Sequence, residues 1–305
     1  MESPWIFALS AGLSLSYALG CSSSKPLTST DTSSAGGTGG SGSEGGGSDA
    51  GAGGPQCTAP GYPSNAPPTQ IDEVDATLVD PSGKAVPNLL VQVCGLDVCV
   101  NGATNVAGKT SVTPGMTLLS PAFKYGDGFD FAKLAAPLGS GEVQDLGQLV
   151  ALPLPSYAEG AAFPKSGDVS NGDLTLVLAP GGSVTHDILT YSDDSELVFR
   201  SVPIPLAASA RAVDPSLGFE LGYAVAPVST TFCPPAGLSV KNSLAWAAGS
   251  AVEIFVQGLE VDEKWAPYGG WVKVADASVS ADASSIDTTS GGIPILSSIA
   301  LRRSK

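Results

Sequence analysis

Glycine and proline punctuate this chain so densely that long helices have almost nowhere to form. Its 305 residues include 38 Gly and 24 Pro, and each one shortens the uninterrupted stretch a helix needs. Between these breakers lie short runs of β-branched and aliphatic residues, the pattern of strands separated by turns. With 43% of residues hydrophobic, there is ample material for a core. The expected fold class is mainly β, built as two β-sandwich regions.

Glycine is densest in one stretch, residues 36–54. From Ser22 to Gln56 the only apolar residue larger than Ala, Pro aside, is Leu27, so residues 21–56 read as a disordered Gly/Ser tether. Such a coil has a mean reach of about 30–35 Å and a stretched limit on the order of 115 Å. Ahead of it, the apolar run from Trp5 to Leu19 is shorter than the roughly 20 residues a membrane-spanning helix needs. It fits the apolar region of an export signal over residues 1–20. The run ends in Ala18-Leu19-Gly20-Cys21-Ser22, an order that resembles a bacterial lipoprotein signal. That resemblance implies cleavage before Cys21 and a lipid on its new N-terminus. Ser22, where Asp would mean retention, implies delivery to the outer membrane, on its periplasmic or cell-surface face. One acyl chain anchors only marginally, so durable attachment falls to the several chains that family adds. The competing reading is an ordinary secretory signal cut near Ala18 or Gly20, which leaves Cys21 a spare thiol.

Charge narrows the partners. The formal net charge is -15 with only 14% of residues charged. Binding a nucleic-acid backbone or anionic headgroups requires concentrated Lys and Arg, so neither is an expected partner. Contact with a membrane would come through the lipid.

Setting Cys21 aside leaves Cys57, Cys94, Cys99 and Cys233, an even number in an exported chain, which reads as two disulfides. Cys94 and Cys99 bracket the four residues Gly95-Leu96-Asp97-Val98, a hairpin loop that brings cross-strand Cα atoms within disulfide reach. Cys57 would then pair with Cys233. Four cysteines permit three pairings, and zinc ligation is the rival use; the spacings and the single histidine fit zinc poorly.

The segment "ATLVDPSGKAVPNLLVQVC" followed by "ATNVAGKTSV" alternates strands with glycine-bearing turns, at Pro81-Ser82-Gly83-Lys84 and near Gly108. It resembles the carboxypeptidase-regulatory-like or transthyretin-like β-sandwich modules, Ig-like in layout. The resemblance covers residues 70 to 115 directly and, by strand count, extends to 155. It implies a non-catalytic scaffold or binding module over 57–155. Further strands are expected at Ala122 to Tyr125, Phe129 to Leu134 and Val143 to Leu154. A second sandwich is expected over 156–305, with strands at Leu174 to Ala179, Phe219 to Val225, Val252 to Val256 and Trp271 to Val274. "GDLTLVLAPGG" with the later "FCPPAGLSVKN" is weakly similar to the ZU5-type β-domains, which bears on fold alone.

Three features carry candidate chemistry. Trp265, Tyr268 and Trp271 crowd a Gly/Pro loop, where aromatic rings can stack on a sugar or anchor a protein partner; the bland alternative is that they close one end of the sandwich. Asp193, Asp194 and Glu196 are the best of several acidic clusters for Ca²⁺, although carboxylates in turns are also simply solvated. The other clusters are Asp72-Glu73-Val74-Asp75 and Asp127-Gly128-Phe129-Asp130. His186 is the sole histidine, and no Gly-x-Ser-x-Gly elbow accompanies it, so it reads as structural. No catalytic residue and no obligatory cofactor is assigned. The expectation is a lipid-anchored, non-enzymatic envelope protein with a carbohydrate or protein partner, and the alternative is a glycosidase-like hydrolase using paired carboxylates.

Overall fold

The computed structural model describes residues 57–61, 68–187, 189–191, 193–261 and 264–304; the signal run, Cys21 and the tether lie outside the described residues. Among the described residues the regular structure is strand, joined by the single-turn 3-10 helices Tyr157–Glu159, Asp194–Glu196 and Pro215–Leu217, with no α-helix. No helix there is long and apolar enough to cross a membrane.

Strand Glu73–Val79 shows how the local pattern becomes structure. Val74, Ala76 and Leu78 are buried at every second position, as the two-residue period of a strand requires. The strand ends where the Asp80 carboxylate accepts hydrogen bonds from the backbone N–H of Ser82 (2.8 Å) and Lys84 (3.0 Å). Gly83 completes this turn at φ +84°, a conformation that side chains disfavour. The strand pairs antiparallel with Lys109–Val112 and parallel with Val143–Val150. A four-stranded sheet runs in the order Cys99–Ala103, Leu90–Cys94, Ala122–Tyr125, Leu134–Pro137. Val91, Val93, Phe123 and Leu134 from it share one core with Val74, Leu78 and Leu149. Two sheets that share a core in this way form a sandwich.

The segment read as a strand from Phe129 to Leu134 is mostly a loop: apart from an isolated bridge between Phe131 and Pro153, continuous pairing starts at Leu134. The cause is Asp127, whose Oδ1 accepts from the backbone N–H of Phe129, Asp130 and Phe131 at 2.8 to 2.9 Å. Local capture of three amides winds the backbone away from a ladder. Likewise the strand from Val143 stops at Val150, short of the expected Leu154.

The second region is one long curled sheet. Its path begins with Ala161–Ala162, Val198–Pro203 and Leu221–Ala226 and ends with Thr231–Lys241, Leu174–Leu178 and Gly167–Asn171. Asn171 stitches the ends together: Ser201 donates from its N–H to Asn171 Oδ1 (2.7 Å) and from its hydroxyl to the Asn171 carbonyl (2.6 Å). The sheet thereby closes toward a barrel. Val169, Leu176, Phe199, Val225, Ile254 and Ile286 fill its interior.

Strand Leu221–Ala226 joins the two regions. Tyr223 and Val225 enter the barrel core, while Ala224 and Ala226 pack into the sandwich core. Both faces are therefore buried, and small alanines allow the sandwich to approach closely. Ala52–Lys305 accordingly forms one compact unit. Gln257, fully buried, reinforces the joint by donating to the carbonyls of Ala135 (2.8 Å), Ala212 (3.1 Å) and Gly269 (3.3 Å). The cysteines pair Cys57 with Cys233, Cα atoms 5.5 Å apart, and Cys94 with Cys99, 4.0 Å apart.

Candidate functional site

At the joint, Tyr191, Val228 and Leu259 form a small apolar cluster with Ala122 and Ala135, and a groove of about 410 Å³ opens beside it. Two loops and the start of strand Thr231–Lys241 shape the groove. Trp265 and Lys264 come from the loop after strand Ala251–Gln257, and Asp187 and Leu189 from the loop after Ser183–Thr185. Ser229, Thr231 and Ile295 line the remaining wall, with Ala59 beside them.

Backbone bonds close the neck of the Trp265 loop: Gly258 N–H to the Gly270 carbonyl (2.9 Å) and Gly269 N–H to the Gly258 carbonyl (2.8 Å). Only glycine fits at 258, because an added Cβ would strike the Pro267 carbonyl. This neck sorts the three candidate aromatics. Trp271 opens the next strand, donates its indole N–H to the Ala212 carbonyl (3.2 Å) and packs edge-on against Phe219 at 5.1 Å. Tyr268 turns inward against the small cluster, its hydroxyl buried and without a hydrogen-bond partner. Burial, with Glu260 nearby, pushes its phenol pKa well up. Of the three, Trp265 lines the groove.

Glu260 forms the floor. Its two oxygens accept from Lys124 (2.7 Å) and Lys133 (2.9 Å), both buried lysines. Burial alone would raise the Glu260 pKa, but the charges and hydrogen bonds of the two lysines outweigh it, and the carboxyl sits below the usual range. Asp187 behaves alike: desolvation pushes up, while bonds from Thr190 and Leu189 and the charge of Lys133 win and lower it. The Asp187 side chain takes the Leu189 N–H (3.0 Å) and the Thr190 hydroxyl (2.6 Å), which holds a loop that displays Leu189 at 94% exposure.

The comparisons with known proteins add little. No family model matches the chain, and no curated protein matches it. A crystal structure of a DUF3823 family protein from Parabacteroides merdae ATCC 43184 is similar over 78% of this chain and 100% of its own, at 8% identity and a TM-score of 0.20. So slight a likeness bears on neither fold nor function.

The other candidates take local roles. Asp193 caps the Asp194–Glu196 turn by accepting from Ser195 N–H (2.8 Å), and Glu196 reaches back to Asp193 N–H (3.4 Å). These two carboxylates satisfy their own backbone. Among the described residues no group of three or more His, Cys, Asp or Glu is placed to hold a metal ion. In the first acidic cluster, Glu73 accepts from the Ser111 hydroxyl (2.5 Å). His186 shares a 3.0 Å bond between Nδ1 and Thr230 Oγ1. Because Thr230 gives its single proton to the Pro227 carbonyl, His186 must donate from Nδ1. Burial lowers its pKa, and Asp194 offsets part of that.

The residue pattern alone assigns no role to Asp187, Leu189, Glu260, Lys124 or Lys133. One signal was present: Lys124 interrupts the apolar strand Ala122–Tyr125, and Lys133 sits between Ala132 and Leu134. A lysine in such a setting calls for a buried carboxylate.

Proposed function

We propose that this chain is a non-enzymatic binding protein of the cell envelope, anchored by lipid at Cys21, whose ligand docks in the groove at Trp265. The single observation that carries the binding half is the lining of that groove. An aromatic ring and a fully displayed leucine surround charged and hydroxyl groups on a framework tied by Cys57–Cys233. Loops held on a rigid β-scaffold commonly host binding. The transthyretin-like pattern at residues 70 to 115 agrees with a scaffold role.

The pKa directions weigh against the hydrolase reading. A glycosidase acid must be protonated near neutral pH, which requires a raised carboxyl pKa. Asp187 and Glu260, the carboxylates that line the groove among the described residues, are both lowered.

The test is to incubate the mature, purified chain with immobilised polysaccharides and peptides while measuring retention and the release of reducing ends. Retention that Trp265→Ala abolishes supports binding; release of reducing ends that Asp187→Asn abolishes sinks it in favour of hydrolysis. The anchor is tested separately by intact mass and detergent partition, where an acyl-free chain found wholly in the aqueous phase refutes lipidation.

A further inference from the structure

We infer that the groove around Trp265 is a subsite for an uncharged saccharide, one sugar ring lying on the indole with its hydroxyls turned toward Asp187, Glu260 and Lys264. This deepens the binding reading and rests on it.

Charge removes the alternatives first. Each Glu260 oxygen is already matched by a lysine, at 2.7 and 2.9 Å, so a cationic ligand would meet Lys124 and Lys133 behind the carboxylate it sought. Among the described residues an anionic ligand would face the carboxylates of Asp187 and Glu260, both held ionised, within a chain of net charge -15. A neutral ligand avoids both penalties.

Hydrogen-bond capacity then selects its chemistry. A carboxylate has about four acceptor sites. Among the described residues Glu260 receives one bond at each oxygen, and Asp187 Oδ2 receives one from Thr190, so each of these three oxygens can still accept. Lys264, Ser229 and Thr231, all lining the groove, can donate. Acceptors and donors side by side suit hydroxyls, which do both.

The apolar part completes the match. Trp265, Leu189 and Ile295 line the same groove, and Leu189 is 94% exposed in the free protein. A sugar ring has a C–H face for such surfaces and a rim of hydroxyls for the polar groups. The volume, about 410 Å³, falls within the range of roughly 300–1,000 Å³ usual for small-molecule sites.

The experiment titrates the full mature chain with neutral oligomers of glucose, mannose, xylose and N-acetylglucosamine, beside a uronic-acid oligomer and a basic peptide, by calorimetry and tryptophan fluorescence. The expected result is saturable binding of at least one neutral oligomer. Trp265→Ala should weaken it about tenfold or more, the size of a stacked aromatic anchor. Trp265→Phe should restore most of it, and the melting temperature should stay near that of the parent. Neutral binding that Trp265→Ala leaves unchanged overturns the inference, and so does the absence of any neutral binding. If the uronic-acid oligomer or the peptide binds instead, through Trp265, the saccharide inference falls while the binding reading stands. If an oligomer is cleaved in an Asp187-dependent way, both fall.

Discussion

Lys124 and Glu260 are 136 residues apart in the chain and 2.7 Å apart in the fold. With Lys133 on the other Glu260 oxygen, the pair fixes the groove floor, on the loop after strand Ala251–Gln257, to the sheet that carries Ala122–Tyr125. Burying these charges is costly, and each is tolerated because its partner is present.

Removing one partner should therefore be worse than removing all. Glu260→Ala takes the carboxylate shared by Lys124 and Lys133 out of a buried site and is expected to cost about 3–5 kcal/mol in urea melts. Adding Lys124→Met and Lys133→Met to it should recover most of that loss. A triple variant no more stable than the single one would disprove this account of the site.

The same carboxylate sets a pH dependence. The folded pKa of Glu260 is lowered, so its stabilisation is complete above the unfolded value of about 4.3 and is lost as pH falls through the folded value. Asp187 acts in the same direction. His186, lowered by burial, loses its contribution earlier, as pH falls below about 6.5. Chemical melts from pH 7 to pH 3 should show stability declining, with Glu260→Gln flattening the acidic limb and His186→Phe the limb near pH 6.

Arg200 is almost fully buried and meets no carboxylate among its described partners. It donates to the carbonyls of Phe129 (2.7 Å), Pro155 (3.1 Å) and Gly128 (3.4 Å), and its guanidinium stacks 3.9 Å from the Tyr157 ring centroid. Arg200→Ala should cost at least about 3 kcal/mol, from stranded carbonyls and a cavity. Arg200→Lys should rescue little, since an ammonium lacks the planar fork. Thermal melts of the two variants check this.

The disulfides should differ in worth. The Cys57–Cys233 bridge spans 176 residues and Cys94–Cys99 spans 5, for which loop entropy gives about 5 and about 2 kcal/mol. Double serine variants, compared by denaturant melts, should rank in that order. Losing the longer bridge should also free Ala59 from the groove wall and raise quenching of tryptophan emission by acrylamide.

Trp271 and Trp265 should separate stability from binding. Trp271→Ala removes a ring packed on Phe219 and is expected to cost about 3 kcal/mol. Trp265→Ala should stay within about 1 kcal/mol. Equal losses in a melt would refute the division of roles between core and groove.

Some of this was legible in the residues. Alternation in Glu73–Val79 and Leu174–Leu178 marked strands, because a two-residue period is a local property. Phe129 to Leu134 looks similar and is mostly a loop, since Asp127 captures three of its amides and Arg200 the Phe129 carbonyl. The loop from Trp265 to Trp271 stands out in sequence for its three aromatics, but which one lines the groove depends on the glycine neck at Gly258 and Gly270. Asp193 and Glu196 look like ligands in sequence and act as caps in space.

Residue order alone determined the β class, the turn positions and the abundance of core material, because breakers and alternation act over a few residues. Tertiary structure decided that Leu221–Ala226 is buried on both faces, that Asn171 closes the curled sheet on Ser201, and that Glu260 lies between two distant lysines. These contacts join residues dozens to more than a hundred positions apart. Their energies depend on burial and charge pairing, which no local window of sequence contains.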